Sequence, residues 1–168
     1  MDVFIVPVIE RVCIFVDGGN MFHSIRALDV KIDYEKVRNT LVKGRRLSRA
    51  YYYMGSDNTP RQNAFFNVLQ SLGYDVKTLS LKHYGGKPFE KGVDVMLATD
   101  MLLDAHKDLY DTAILCSGDK GYVYAIKAIK EIGKRVEVAG FEHSTAKELR
   151  LIADQFINLT LRLDKIRE

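Results

Sequence analysis

Three aspartates stand where this chain has had to accommodate an acid. Asp17 closes the apolar run Val12-Cys13-Ile14-Phe15-Val16 and leads directly into Gly18-Gly19-Asn20. Asp119 follows a second run of the same design, Thr112-Ala113-Ile114-Leu115-Cys116, through Ser117-Gly118. Asp94 opens an apolar stretch in Lys91-Gly92-Val93-Asp94-Val95. Continuous Val/Ile-type runs mark parallel strands buried on both faces, and ligands in open α/β sheets sit beyond the carboxyl ends of such strands. If the two strands are neighbours, one crevice receives Asp17 and Asp119, and the Asp94 helix caps the same opening. Carboxylates crowded together raise one another's pKa unless a cation neutralises them. Hard oxygen ligands suit Mg²⁺ or Mn²⁺, which polarises a phosphoryl oxygen and lowers the pKa of a bound water. The chemistry that fits is metal-assisted hydrolysis of a phosphodiester.

Neighbouring residues fill out that reading. Asn20, three residues past Asp17, can hold a metal-bound water or a phosphate oxygen, and Ser117 can orient Asp119 or donate to the scissile phosphate. Lys120 follows Asp119 directly, and Arg61 follows Pro60 in a polar turn on the same predicted edge. The loop Lys82-His83-Tyr84-Gly85-Gly86-Lys87 mixes cations, an aromatic ring and glycines just before the Asp94 motif. Such a loop can grip phosphates through Lys82 and Lys87 while Tyr84 stacks on an unpaired base. The basic cluster Lys43, Arg45, Arg46 and Arg49 reads first as a solvated face. Taken singly, each Asp is equally well a turn residue that caps the next helix. Their conjunction at one sheet edge is the signal. Asp100 is rotated away from Asp94 on the same helix and is expected to bond a neighbouring charge, whereas Asp104, Asp108 and Asp111 read as surface acids.

The elements that must position these residues alternate strand and helix. Strands are expected at Arg11–Val16, Ser48–Met54, Asp75–Leu81, Thr112–Cys116 and Arg135–Ala139, with a short one at Phe156–Leu159. Helices are expected over Met21–Leu28, Tyr34–Val42 with Asp33 as N-cap, Pro60–Leu72, Gly92–His106, Lys120–Ile132 and Thr145–Asp154. Lys82–Glu90 reads as a loop, Arg162–Glu168 as a fraying charged end, and Met1–Glu10 as an extra strand or packed arm. This alternation specifies a three-layer α/β/α sandwich around a mainly parallel sheet.

Composition agrees with one globular, soluble domain: 168 residues, 47% hydrophobic, 28% charged and a net charge of +3. So small a net charge places any nucleic-acid footprint in a local patch. The first ten residues lack a basic n-region and a cleavage site and are too short for a signal peptide or a membrane span. Cys13 and Cys116 both fall in predicted core strands without C-x-x-C spacing, which makes them core thiols and the cytoplasm the expected compartment. A homodimer is compatible with a domain of this size, although no patch declares it.

The segment Ile14-Phe15-Val16-Asp17-Gly18-Gly19-Asn20 resembles the first motif of the NYN domains, in the LabA-like branch of the PIN-like nucleases. Lys91-Gly92-Val93-Asp94-Val95 with Leu97-Ala98-Thr99-Asp100-Met101-Leu102 resembles the second, and Ser117-Gly118-Asp119 the third. The likeness runs from Val12 to Leu159, so residues 1–160 form one domain and residues 161–168 a charged end. It implies a Rossmann-like PIN fold with five parallel strands and an endoribonuclease that cuts RNA with a divalent ion. Asp17, Asp94 and Asp119 would hold that ion, with Asn20 beside them. One departure matters: the family's third motif carries a second acid where this chain has Gly121. A non-catalytic RNA-binding or regulatory protein is therefore the alternative. A haloacid-dehalogenase-type phosphatase would want an acid at Gly19, and dinucleotide binding would want G-x-G-x-x-G after the first strand.

Overall fold

The computed structural model describes residues 3–168. Its centre is β1 (Arg11–Asp17), in which every residue from Val12 to Asp17 is buried. Parallel to it run β2 (Arg46–Ser56), β3 (Tyr74–Ser80), β6 (Thr112–Cys116), β7 (Arg135–Gly140) and β8 (Gln155–Asn158). The order across the sheet is β3-β2-β1-β6-β7-β8. The chain thus builds outward from β1 in one direction, then returns to β1's other side and builds outward again. That reversal opens a crevice at the carboxyl ends of β1 and β6, where a Rossmann-type sheet binds its ligand. The register pairs Val16 with Cys116, so Asp17 and Ser117 emerge side by side.

Alternation along β1 divides the core in two. Val12, Ile14 and Val16 face α1 (Gly18–Ala27), α2 (Tyr34–Val42) and α3 (Pro60–Ser71), while Cys13 and Phe15 face α4 (Val93–His106), α5 (Val123–Glu131) and α6 (Lys147–Ile152). The tyrosine run in β2 splits the same way, with Tyr52 in the first core and Tyr51 and Tyr53 in the second. Local signals set the helix ends. Asp33 accepts from the Glu35 and Lys36 amides to cap α2, and Thr59 caps α3 ahead of Pro60.

Several expectations need correction. The sheet has six parallel strands, not the five of the family pattern, because Gln155–Asn158 pairs fully with β7. The stretch expected as a loop contains a hairpin of β4 (Lys82–Tyr84) and β5 (Lys87–Phe89), turned at Gly85-Gly86 in positive-φ conformations. The helix after β6 starts as a 3-10 turn at Lys120–Tyr122. The charged end does not fray: α7 (Leu163–Ile166) buries Ile166 completely and the Glu168 amide bonds the Lys31 carbonyl. Residues 3–9, in contrast, pack on nothing and form no strand, with Phe4 89% exposed; Met1 and Asp2 lie outside the described residues. Asp104 is no surface acid, since it is buried and accepts from the Tyr51 hydroxyl at 2.7 Å. Asp100 bonds the Tyr53 hydroxyl and Lys77, as its position foretold. Both cysteines are free and buried. No helix among the described residues is long and apolar enough to cross a membrane.

Candidate active site

Asp17 ends β1 and caps α1, so one residue serves as strand terminus, helix cap and acid. Its Oδ1 accepts from the Asn20 amide at 3.2 Å. Its Oδ2 accepts from the Ser117 hydroxyl at 3.1 Å and the Tyr122 hydroxyl at 3.0 Å. Only 7% of the residue is exposed. Burial raises its pKa above the ordinary carboxylate range, and the nearby Glu90 charge adds to the rise while the three donors work against it. The same negative neighbourhood, with burial as the larger cause, pushes the Tyr122 hydroxyl well above its usual value; Asp17, Asp94 and Asp119 all contribute.

Two glycines let the backbones close around this acid. A Cβ on Gly18 would lie 2.7 Å from the Tyr53 carbonyl oxygen, and one on Gly118 would overlap the Ser144 carbonyl. The Asn20 carboxamide oxygen accepts from Gly118 N–H at 2.9 Å, tying α1 to the turn after β6. Its NH₂ end is thereby left for the cleft that Asn20 lines. The Ser117 hydroxyl also accepts from the Asp119 amide, and Asp119 Oδ1 accepts from the Gly121 amide to cap the 3-10 turn. Asp94 lies exposed in the first turn of α4, whose preceding Gly92 adopts φ 88°.

Asp17, Asn20, Asp94, Asp119 and Arg61 line one cleft of about 1390 Å³. Lys120 lines a smaller pocket of about 460 Å³ that shares Asn20 and Asp119 with it. Lys82 and Lys87 stand on the hairpin, whose Pro88 and Phe89 form part of the cleft wall. Ser117 is the exception. It is fully buried and its hydroxyl is engaged by Asp17 and Asp119, so it positions the acids instead of meeting a substrate. The Lys43–Arg49 cluster lies at the amino ends of the strands, remote from the acids, and Arg45 there forms a two-pronged pair with the buried Glu137 at 2.9 Å.

Two residues of the site had no part in the sequence reading. Glu90 lines the cleft, and its Oε1 accepts from Gly55 N–H at 2.8 Å, placing a carboxylate between the end of β2 and the start of α1. Its place directly ahead of the Asp94 motif was the available clue. Tyr122 donates to Asp17 from three residues beyond Asp119, a contact that only the 3-10 turn brings about.

The donor set suits a hard divalent cation, since every candidate ligand is a carboxylate oxygen. Among the described residues, however, no three acids or imidazoles approach closely enough to chelate one ion together.

A family model described as the NYN domain matches residues 11–161. The low amplitude and bright protein LabA of Synechococcus elongatus is 30% identical over 158 residues, covering 89% of this chain and 84% of that protein. A solved Vibrio parahaemolyticus structure, titled as a protein of unknown function, superposes with a TM-score of 0.82. It is 24% identical, and the match covers 95% of this chain and 97% of the other.

Proposed function

This chain belongs to the NYN-domain family, and from that membership we propose that it is a metal-dependent endoribonuclease hydrolysing RNA phosphodiester bonds. The observation that carries the reading is the placement of Asp17. A buried carboxyl whose pKa burial raises stands at the switch point of the sheet, in one cleft with Asp94 and Asp119. Capping α1 does not by itself call for an acid there, since Ser, Thr or Asn caps a helix as well.

Mg²⁺ or Mn²⁺ bound by Asp17, Asp94 and Asp119, partly through water, would supply charge neutralisation and an acidified water at neutral pH. The protein's own groups do the rest. Ser117 and Tyr122 hold Asp17 in a single orientation from behind, so no reorganisation is needed when charge develops in front of it. Asn20 keeps the turn after β6 against α1 and offers its NH₂ donors to a phosphate oxygen. Glu90 adds negative potential on the β2 side of the cleft and strengthens its demand for a cation. Lys120 and Arg61 flank the acids as phosphate contacts, with Lys82 and Lys87 reaching the strand from the hairpin. Two free, buried thiols suit the reducing cytoplasm.

A second reading has its own support. Gly121 leaves the Asp119 motif without a second acid, and among the described residues no three-acid chelate is preformed, which favours a protein that binds RNA without cutting it. Incubating labelled RNA with Mg²⁺ or Mn²⁺ and either wild type or Asp17→Asn separates the two. Metal-dependent cleavage by wild type, reduced by orders of magnitude in the variant, supports the nuclease. Retained binding with no cleavage under either metal supports the binding protein.

A further inference from the structure

Residues 82–91, which carry the hairpin, are exposed throughout. Among the described residues they make one hydrogen bond to the rest of the protein, and Glu90 supplies it. Asp94 follows four residues later, so whatever fixes Glu90 also fixes the entry to α4.

The partner of Glu90 is Gly55, a buried residue of β2 that lies past the end of β1. The last pair between those strands is Asp17 with Tyr53, so the Gly55 N–H has no acceptor in β1. A buried backbone donor needs a partner, and the Glu90 carboxylate takes the place of the missing strand at 2.8 Å. Two absent side chains make room for it. A Cβ on Gly55 would lie 2.7 Å from Glu90 Cγ, and one on Gly19 would lie 2.7 Å from Glu90 Oε2. Neither glycine has a positive φ, so what each supplies is space. Gly55 also meets Leu81, whose Cδ2 would stand 2.5 Å from its Cβ. Both feet of the hairpin, Leu81 and Glu90, therefore rest on Gly55, and the second also rests on the first turn of α1, two residues past Asp17.

An anchor alone would not call for a charge. A glutamine oxygen could accept from Gly55, whereas the Glu90 carboxylate repels Asp17. A cation in the cleft offsets that repulsion, which reconciles the seat with its charge.

Resting on the metal-dependent reading above, we propose that Glu90 is a positioning residue. Seated on Gly55 and Gly19, it sets the placement of Asp94 relative to Asp17 on which a shared cation depends. Such coupling is reciprocal: what the seat does for the cation, the cation does for the seat.

Hydrogen exchange at the Gly55 amide, followed by NMR, reads the seat, and Mn²⁺ calorimetry reads its consequence. The wild-type amide should be protected, and Mg²⁺ should slow its exchange further. Glu90→Ala should lose that protection and weaken Mn²⁺ binding about 10- to 100-fold, the usual effect of removing a group that orients metal ligands. Glu90→Gln should keep most of the protection and weaken Mn²⁺ binding less than Glu90→Ala does. Gly19→Ala removes no charge, and its methyl group displaces only the flexible end of Glu90. It should melt no lower than wild type, yet lose protection at Gly55 and bind Mn²⁺ more weakly. Unchanged Gly55 exchange in Glu90→Ala, equal losses in the Gln and Ala variants, or wild-type Mn²⁺ affinity in Gly19→Ala overturns the proposal. No Mn²⁺ uptake by wild type sinks the metal reading itself, whereas uptake that the variants leave unaffected sinks only the role of Glu90.

Discussion

Asp17 shows what the site costs the fold. Burial makes the native state hold its proton more tightly than the unfolded chain does. The stability linked to that proton is complete below the ordinary carboxylate pKa and is lost as pH rises through the raised native value. Ionised Asp17 therefore weakens the metal-free protein at neutral pH. Asp17→Asn is expected to hold or raise stability near pH 7, on the order of 1 kcal/mol, while abolishing cleavage. Its advantage over wild type should shrink toward about pH 4, as wild-type Asp17 takes up its proton. Urea titrations at both pH values measure this, and a variant less stable than wild type near pH 7 would contradict it. Gly121 gives the opposite opportunity. It lies outside the positive-φ region, and a Cβ there would stand 3.3 Å from Asp119 Oδ1, the end of a flexible side chain. Gly121→Asp should fit, place a second acid beside Asp119 and tighten Mn²⁺ binding about tenfold, or about 1.4 kcal/mol, by calorimetry. Asp17, Asp94 and Asp119 were legible because strand ends and helix starts are set by local pattern. Tyr122 and Glu90 were not, since their roles depend on which loops face each other.

The elements meet at the site through the turn after β6, which is clamped from two sides. Gly118 lies against the Ser144 carbonyl, its own carbonyl accepts from Ala146, and its amide donates to Asn20. Gly118→Ala must push one of these backbones aside and should cost about 1–3 kcal/mol in a denaturation curve. It should also disturb Asp119 and Asn20 together. Most elements were readable from apolar period, N-caps and Pro/Gly punctuation; Tyr34–Val42 and Thr112–Cys116 match to the residue. The hairpin at Lys82–Phe89 was not, because strands of three residues are too short to set a period. Asp104 misled for a related reason. Its charge signals solvent, and only the Tyr51 hydroxyl across the core supplies its partner.

At the scale of the whole molecule the two termini behave in opposite ways. Ile166 is completely buried among residues of α2 and the first core, so Ile166→Ala should cost about 2–5 kcal/mol in chemical denaturation. Residues 3–9 are exposed throughout and carry Val3, Phe4, Ile5, Val6 and Val8. Replacing Val3, Phe4, Ile5, Val6 and Val8 by Ser should therefore change stability by less than about 0.5 kcal/mol, while self-association followed by light scattering falls. Composition foretold neither outcome, since a charged tail reads as solvated and an apolar head as packed. What the sequence determined alone was local: the alternation of strands and helices, the faces they bury, and the acids at their ends, all set by interactions within a few residues. Tertiary structure decided the pairing of β1 with β6. That contact, across about a hundred residues of chain, makes one cleft of three distant aspartates. Burial and long-range hydrogen bonding depend on the whole packed chain, and no window of residues contains them.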